Sequence, residues 1–269
     1  MSAVEPSPAT SRGRAVGIDI GGSGIKGAPV DLGSGTFAAD RVREPTPQPS
    51  TPDAVADVVA AIAGRWPDGP LGVTFPAVVK DGVTTTAANV DKAWIGTDAA
   101  GLLRARTGRP VHVVNDADAA GVAEARYGAA KDVRGVVVVA TLGTGIGTAL
   151  LHDGVLVPNT ELGHLEVDGH DAETRASDAA RDREDLSWKD WAKRLQRYFS
   201  ALEALLQPDL LVIGGGVSKK SEKFLPHLDL RVPVVPAQLL NTAGIVGAAA
   251  LAAEADLDPG TADATGSPG

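Results

Sequence analysis

Two glycine-rich segments in matching positions constrain the fold of this 269-residue chain more than any other feature. The first, residues 19–27, follows the apolar run 15–18, and the second, residues 141–147, follows the apolar run 136–140. After each segment the pattern returns to a strand, so both read as strand, glycine turn, strand. The repetition of this unit half a chain later predicts a duplicated fold of two α/β domains with a central cleft.

The glycines of the first segment are suited to phosphate but not to a dinucleotide. The spelling Gly22-x-Gly24-x-x-Gly27 matches a dinucleotide fingerprint, yet that fingerprint needs a helix to begin at the glycines, and here a strand follows. A single glycine hairpin is usually only a tight turn. Two in equivalent places favour a paired phosphate site, because glycine lets backbone N–H groups approach an anion closely. The residues assigned to that phosphate site are Asp19, Gly21, Gly22, Ser23, Gly24, Lys26, Thr141, Gly143, Thr144 and Gly145.

Composition excludes several classes of function. The formal net charge is −9, which argues against a nucleic-acid-binding surface. With no cysteine the chain has neither a disulfide nor a thiolate metal site. The N-terminus lacks the apolar core of a signal peptide, and every apolar run is too short to span a bilayer. We therefore expect a cytoplasmic protein that binds neither nucleic acid nor membrane.

The domain organisation follows from the periodicity of apolar residues. It predicts an N-terminal α/β domain over 14–114, a C-terminal α/β domain over 115–240, and a terminal helix over 241–253 that packs back on the first domain. The two ends, 1–13 and 254–269, are rich in Pro, Ser, Thr, Gly, Ala and acidic residues, which predicts disordered tails.

Individual elements are predicted with the same rules. The clearest is a helix over 187–206, whose apolar residues recur at spacings of three and four. Its two tryptophans lie on that stripe, and core packing explains them better than a dimer face. Further predictions are a single strand over 36–43, a helix over 217–224 and a strand over 231–235.

A polar pair ends the buried strand predicted over 111–114. Asn115 and Asp116 follow that strand directly, and a helix begins there. Alone, the pair would be interpreted as a helix cap. Side chains at the carboxyl end of such a strand nevertheless point into the crevice where open α/β sheets bind ligands. The glycine turns favour that second interpretation.

The segment 160–177 is dense in carboxylates and imidazoles but has neither helical nor strand periodicity. One interpretation is an exposed polar loop without a function. The other is a binding site for a ligand rich in hydroxyls, because carboxylates and His form directional hydrogen bonds to pairs of hydroxyls. A metal site of His164, Glu166 and His170 is discounted, since its spacing fits no common pattern.

A triple glycine, residues 214–216, precedes the predicted helix 217–224. Such a helix N-terminus is a good place for an anion or an adenosine to lie against the backbone. Lys219, Lys220 and Lys223 add positive charge, although a solvated helix face is an equally good interpretation of the sequence alone. If this segment binds an anion, four residues join the predicted phosphate site: Gly215, Gly216, Lys219 and Lys220.

Together these motifs produce a resemblance that covers residues 15–250. The chain resembles the ROK-family sugar kinases, and within them the actinobacterial polyphosphate-using glucokinases, in the order of five motifs: Asp19-x-Gly21-Gly22-x-x-x-Lys26, Asn115-Asp116, Leu142-Gly143-Thr144-Gly145, Glu161-x-Gly163-His164 and Gly214-Gly215-Gly216-Val217-Ser218. The resemblance implies an actin-like, ribonuclease-H-type duplicated fold and a homodimer.

The resemblance also implies roles for individual residues. Asp116 corresponds to the general base that takes the proton of the sugar 6-hydroxyl. For the phosphoryl transfer that this implies, Asp19 is the carboxylate expected to orient Mg²⁺ through water. Lys219 and Lys220 are expected to guide a polyphosphate chain. The residues that correspond to sugar-binding positions are Asn89, Asn115, Asp116, Glu161, His164 and Glu173.

The chain departs from most of the family in one respect. Most ROK kinases hold a structural zinc through the His of Gly-His and three cysteines, and here Gly169-His170-Asp171 occupies that region without a cysteine. No zinc site is therefore expected, as in the polyphosphate-using subgroup. The implied ligands are glucose, polyphosphate, ATP or ADP, and Mg²⁺. The alternatives are an ATP-dependent kinase for another hexose (mannose, fructose or an N-acetylhexosamine) and a sugar-sensing regulator.

Overall fold

The computed structural model describes residues 13–87 and 90–257, and the predicted tails lie almost entirely outside them. The strands are β1 (Arg14–Ile20), β2 (Ile25–Asp31), β3 (Thr36–Phe37), β4 (Val42–Glu44), β5 (Leu71–Phe75), β6 (Val79–Lys80), β7 (Val83–Thr84), β8 (Val111–Asn115), β9 (Val136–Leu142), β10 (Ile146–His152), β11 (Val155–Val157), β12 (Glu166–Val167), β13 (His170–Asp171), β14 (Leu210–Gly214) and β15 (Val234–Pro236). The α-helices are α1 (Pro52–Ala63), α2 (Ala99–Thr107), α3 (Asp116–Tyr127), α4 (Ala172–Ala176), α5 (Asp178–Arg183), α6 (Trp188–Leu206) and α7 (Ala243–Leu257).

The described residues form two compact units. The first ends at Asn115 and resumes at Gly244, and the second runs from Asp116 to Ala243. The sheet of the first unit has the order β3-β2-β1-β5-β8, with β4 also pairing with β2, and the sheet of the second has the order β11-β10-β9-β14-β15. In both, the first three strands are antiparallel and the last two join in parallel. The repeated order confirms the predicted duplication.

The terminal helix α7 packs on the first sheet because two strands carry glycine where it crosses them. A Cβ added at Gly17 in β1 would lie 1.9 Å from the carbonyl oxygen of Ile245. A Cβ at Gly72 in β5 would lie equally close to the carbonyl oxygen of Ala248. Only glycine permits backbone contact at this range, so these two positions seat the helix.

In the second unit, helix α6 covers one face of the sheet. Trp191, Leu195 and Phe199 are buried and pack with Val138 and Ala140 of β9. The predicted helix and its core-facing stripe are confirmed, and the Ser187 hydroxyl caps the helix by accepting from the Asp190 N–H. Among the described residues no helix has the length and apolar character that crossing a bilayer requires.

Four local predictions differ from the structure. The strand predicted over 36–43 is two short strands, β3 and β4, since the exposed residues 38–41 are poor strand formers. The strand predicted over 231–235 is β15 and starts after Pro233, which has no N–H to donate. Helix α7 continues past 253 because residues 252–255 are mostly alanine.

The fourth difference is the segment predicted as a helix over 217–224. It is a 3₁₀ segment, Gly216–Lys223, with a kink at Lys220, where φ is −118° and ψ is 24°. The polar segment 160–177 also holds unpredicted structure, namely the β12–β13 hairpin and helix α4. Its short elements lack the length over which a periodic pattern is visible in a sequence.

Candidate active site

The first glycine turn joins β1 to β2 in the first unit. The Gly21 N–H donates to the Gly24 carbonyl oxygen at 3.1 Å, and the tip at Gly22 and Ser23 is exposed. A Cβ at Gly22 would meet nothing within 4 Å, so the tip is open to a ligand. Arg43 in β4 donates to the Ser23 carbonyl oxygen at 2.9 Å and thus brings a cation to the turn that was not predicted.

Asp19 lies at the end of β1 between two polar neighbours. Its Oδ1 accepts from the Thr74 hydroxyl at 2.9 Å, and its Oδ2 lies 3.5 Å from Lys26 Nζ. The sheet register explains the trio, because Lys26 of β2 and Thr74 of β5 both lie opposite Asp19. Gly244 of α7 leaves room for the carboxylate, since a Cβ there would lie 3.1 Å from Oδ1. The structure therefore holds Asp19 and Lys26 side by side, and their assignment to phosphate binding stays a prediction.

The second glycine turn joins β9 to β10 and repeats the first. The Gly143 N–H donates to the Gly145 carbonyl oxygen at 3.0 Å. Thr144, at the tip, is exposed, and a Cβ at Gly143 would again meet nothing within 4 Å. Helix α5 supports the turn, because the Ala179 N–H donates to the Gly143 carbonyl oxygen at 3.1 Å. Both turns thus present short glycine-rich backbone at an exposed tip, the arrangement that suits phosphate oxygens.

Asn115 and Asp116 stand at the junction of strand β8 and helix α3. Asn115 is buried, and its Nδ2 donates to the Ala77 carbonyl oxygen at 3.1 Å. Asp116 is exposed at the first position of α3. The next residue, Ala117, packs against β10, since a Cβ at Gly147 would lie 2.8 Å from the Ala117 Cβ. Asp116 is therefore held beside the second glycine turn with its carboxylate accessible to a substrate.

One predicted sugar-binding residue contacts Ile146, the first residue after that turn, and two others flank a glycine that packs on Ile146. Glu173 of α4 accepts from the Ile146 N–H through Oε2 at 2.8 Å. Gly163 lies against the Ile146 carbonyl, where an added Cβ would be 2.0 Å from the oxygen. This contact fixes the 3₁₀ turn Leu162–His164 and its flanking Glu161, which brings the predicted acidic and imidazole groups together beside the glycine turn.

An unpredicted carboxylate orients His164. The Nδ1 of His164 lies 2.8 Å from Asp171 Oδ2, and its Nε2 lies 3.9 Å from Glu161 Oε2. Asp171 is itself fixed, because its Oδ1 caps α4 by accepting from the Glu173 N–H at 2.9 Å. The Asp171 hydrogen bond raises the pKa of His164, and the charges of Glu173 and Glu161 act in the same direction. In the neutral imidazole, Nδ1 donates to Asp171, which leaves Nε2 to accept from a ligand hydroxyl.

The glycines 214–216 adjoin the second glycine turn. Gly214 pairs with Thr141 in the sheet, and Gly215 has a φ of 82°. A Cβ at Gly215 would lie 2.2 Å from the Leu142 carbonyl oxygen, so the two glycine segments touch. Lys219 and Lys220 follow on the exposed 3₁₀ segment. In the second unit, the two segments predicted to bind phosphate, the glycine turn and the segment that begins at Gly214, are therefore neighbours.

Asp118 is a buried carboxylate two residues after Asp116. It is 1% exposed, and its Oδ2 accepts from the Asn159 N–H at 2.8 Å. Burial raises the pKa of Asp118 to about 6, and the charge of Glu161 adds to the increase, while the Asn159 hydrogen bond opposes it. The folded state therefore binds this proton more tightly than the unfolded chain does.

Asp118→Asn is expected to remove a pH dependence of stability. In the wild type, the contribution of Asp118 to the free energy of unfolding falls by roughly 3 kcal/mol as pH rises from about 4 to about 6, and it does not change further above that pH. The amide does not titrate and still offers an oxygen to the Asn159 N–H. Urea denaturation across this pH range should show the variant more stable than wild type above pH ~6. Identical pH profiles for the two proteins would contradict the burial argument.

Some predictions fall outside these contacts. Asn89 lies outside the described residues, so its predicted role in sugar binding stays a prediction. In the part of the chain that the structure describes, no three His, Cys, Asp or Glu side chains are grouped as metal ligands. Thr74, Arg43 and Asp171 were missed, because each reaches the site through strand pairing or a short hairpin that the sequence pattern does not reveal.

The chain is similar in sequence to several known proteins. The sequence profile described as the ROK family matches residues 15–182. A polyphosphate glucokinase of Mycobacterium tuberculosis (strain CDC 1551 / Oshkosh) is 53% identical over 248 residues, which are 91% of this chain and 93% of that protein. A glucokinase of Streptomyces coelicolor is 26% identical and covers 91% of this chain and 99% of its own length.

One solved structure is similar to this chain in both sequence and fold. The inorganic polyphosphate/ATP-glucomannokinase from Arthrobacter sp. strain KM is 56% identical and superposes with a TM-score of 0.86, covering 90% of this chain and 98% of its own. The predicted actin-like fold is thereby confirmed. With the family profile covering more than half of its length, and with the duplicated sheets and the motifs in place, the chain belongs to the ROK family.

Proposed function

We propose that the chain is a glucokinase that transfers a phosphoryl group from inorganic polyphosphate, and also from ATP, to the 6-hydroxyl of glucose. The observation that carries the proposal is the 53% identity, over 91% of the chain, to a protein named polyphosphate glucokinase. The geometry supports it, because an exposed carboxylate, a glycine turn and a group of hydroxyl-binding side chains lie together in the second unit.

The proposed reaction is a direct displacement at the terminal phosphorus. Asp116 accepts the proton of the glucose 6-hydroxyl as that oxygen forms a bond to phosphorus. The bond between phosphorus and the bridging oxygen breaks, and the leaving group is ADP or a polyphosphate one unit shorter. Glu161, His164 and Glu173, with Asn115, hold the other sugar hydroxyls and so align the attacking oxygen.

The donor phosphates would be bound mainly by backbone. In the first unit, the N–H groups of the glycine turn and the Lys26 ammonium would bind donor phosphates. In the second unit, the N–H groups of its glycine turn and the Thr144 hydroxyl would do the same. Asp19, a partly buried carboxylate beside Lys26 and Thr74, would hold Mg²⁺ through water, since that ion keeps several waters and commonly takes one or two carboxylates. When bound, the ion supplies charge neutralisation on the donor oxygens. Magnesium use, a homodimer and a cytoplasmic location are further parts of the proposal.

A second acceptor is favoured by one comparison. The 56% identical Arthrobacter protein is named a glucomannokinase, so mannose is the first alternative sugar to test. Fructose and N-acetylhexosamines are the further alternative acceptors.

The test is a coupled assay of nucleoside diphosphate or sugar phosphate formation with each sugar against each donor. We expect the largest kcat/KM for glucose, measurable turnover of mannose, and activity with both polyphosphate and ATP. Turnover with ATP alone would reject the polyphosphate proposal. Failure with every donor and sugar would reject the assignment as a kinase.

Asp171→Asn is expected to weaken sugar binding more than catalysis. Loss of the carboxylate lowers the pKa of His164 and loosens its orientation, so KM for glucose should rise by about tenfold while kcat falls by less than about threefold. An NMR titration of the His164 ring checks the cause independently, because the pKa must decrease in the variant. An unchanged His164 pKa together with an unchanged KM would show that Asp171 only caps helix α4.

A further inference from the structure

Three cationic side chains surround one tryptophan at the start of helix α6. The guanidinium carbon of Arg181 lies 4.2 Å from the centroid of the Trp188 ring. The Nζ atoms of Lys220 and Lys223 lie 5.7 and 5.6 Å from the same centroid. The ring is half-buried and stacks on Phe224, with an interplanar angle of 17°. We call Arg181, Trp188, Lys220 and Lys223 the Trp188 cluster.

The charges of the Trp188 cluster are only partly balanced. Arg181 is ion-paired, with its Nε 2.9 Å from Asp178 Oδ1 and a second contact to Asp182. Lys220 and Lys223 are exposed, and within the described ranges neither forms an ion pair with a carboxylate. In a chain of net charge −9, two such ammonium groups beside one ring form a local attraction for an anion.

Two connections tie the Trp188 cluster to the second glycine turn. On one side, Ala179 lies two residues before Arg181 in α5 and donates its N–H to Gly143 of the turn. On the other side, the 3₁₀ segment that carries both lysines begins directly after Gly215, whose backbone touches Leu142. The cluster is therefore built onto the same support as the turn that would bind the terminal phosphates.

The chemistry of the cluster favours a polyanion over a nucleobase. A stacked base needs an open aromatic face, but Arg181 already lies over the Trp188 ring and Phe224 stacks on it. Lysine ammonium groups instead bind phosphate oxygens as point charges, without demanding one orientation. Successive phosphates of a condensed chain each carry negative charge, which suits cations spread along a surface.

We propose that the Trp188 cluster binds the phosphates of a condensed-phosphate donor that lie beyond the terminal ones held at the glycine turn. This inference rests on the proposed function and assigns the distal part of its donor. It also replaces one residue of the sequence hypothesis, since Lys219 is not among the cations around Trp188, whereas Lys223 is.

The test compares donors of different length in the double variant Lys220→Ala/Lys223→Ala. KM for long-chain polyphosphate should rise by roughly tenfold, because each exposed charge contact is worth a factor of a few. KM for tripolyphosphate and for ATP should stay within about twofold, as should kcat, since the proposal assigns to the cluster only phosphates beyond the terminal ones. An unchanged KM for long chains, or an equal rise for all three donors, would overturn the proposal.

Lys131→Ala is the matched control for charge. Lys131 is exposed and lies on the opposite face of the second sheet from α6. Its neighbour Ala130 packs with Val137 and Val139, whereas α6 packs with Val138 and Ala140. Removal of this lysine should leave every donor KM unchanged. A higher long-chain KM in Lys131→Ala would show that the effect is one of net charge, and the proposed site would be rejected.

Equilibrium binding separates this inference from the proposed function. Without glucose, long-chain polyphosphate should bind the wild type with an affinity that falls as salt increases, and the double variant should show a slope smaller by about 2. Equal binding and equal slopes would refute the Trp188 cluster as a site. Binding that differs as expected, in a protein that transfers no phosphoryl group from polyphosphate, would uphold the site and reject the proposed reaction.

Discussion

Asp116→Asn is expected to lower kcat by roughly 100- to 10,000-fold while KM for glucose changes by less than about threefold. The amide keeps the shape of the side chain and its acceptor oxygen, so the position of α3 and the hydrogen bond from the Ala117 N–H are retained. It cannot take the proton of the 6-hydroxyl. An effect confined to kcat would therefore identify proton transfer, rather than sugar binding, as the function of this carboxylate.

Asp118→Asn is the matched control, because it makes the same chemical change two residues along the same helix. Asp118 is buried against Asn159 and is assigned no part in the reaction. Its kcat should stay close to that of wild type. Glucose binding by Asp116→Asn, measured by titration calorimetry, verifies that the site is intact. Near-normal kcat in Asp116→Asn, or an equal loss in Asp118→Asn, would refute the assignment of Asp116 as the base.

Gly215→Ala is expected to have the largest effect on stability near the site. The residue has a φ of 82°, and an added Cβ would lie 2.2 Å from the carbonyl oxygen of Leu142 and 2.6 Å from its nitrogen. Backbone at that distance has no flexible group to move, so the β14 corner must separate from the glycine turn. We expect a loss of about 3–5 kcal/mol and a melting temperature lower by about 10 °C.

Gly216→Ala provides the stability control, because a Cβ there would meet nothing within 4 Å and the residue begins the 3₁₀ segment. Its melting temperature should differ from wild type by less than about 3 °C. In Gly215→Ala that still folds at low temperature, KM should rise for polyphosphate and for ATP, because both donors use the displaced turn. A melting temperature equal to that of Gly216→Ala would contradict the predicted contact with Leu142.

The fold could be predicted from the sequence because its duplication is visible in local patterns of glycine and apolar residues. Each glycine turn follows an apolar run and precedes a strand, and the register of β1 with β2, which places Lys26 opposite Asp19, follows from the hairpin itself. Thr74 was not predicted, because the pairing of β1 with β5 joins residues that are far apart in the sequence. Local patterns carry no signal for such parallel register.

The site was predicted in type rather than in detail. Glu161, His164 and Glu173 were assigned to one ligand. In the structure the Glu173 carboxylate accepts from the Ile146 N–H, and Gly163, which lies between Glu161 and His164, packs on the Ile146 carbonyl. Asp171 was missed, since only the β12–β13 hairpin returns it to His164. Lys220 and Lys223 could not be assigned to Trp188 from the sequence, because the segment Gly216–Lys223 and the start of α6 are far apart in the chain and local patterns do not reveal their contact.

The proposed reaction moves a phosphoryl group from polyphosphate to the 6-hydroxyl of glucose. It can be followed by phosphorus NMR of the purified protein with glucose, Mg²⁺ and nucleotide-free polyphosphate. We expect a growing phosphomonoester signal coupled to the C6 protons of glucose, matched by loss of chain phosphates. Release of orthophosphate without that signal, or a phosphoester on another hydroxyl, would contradict it.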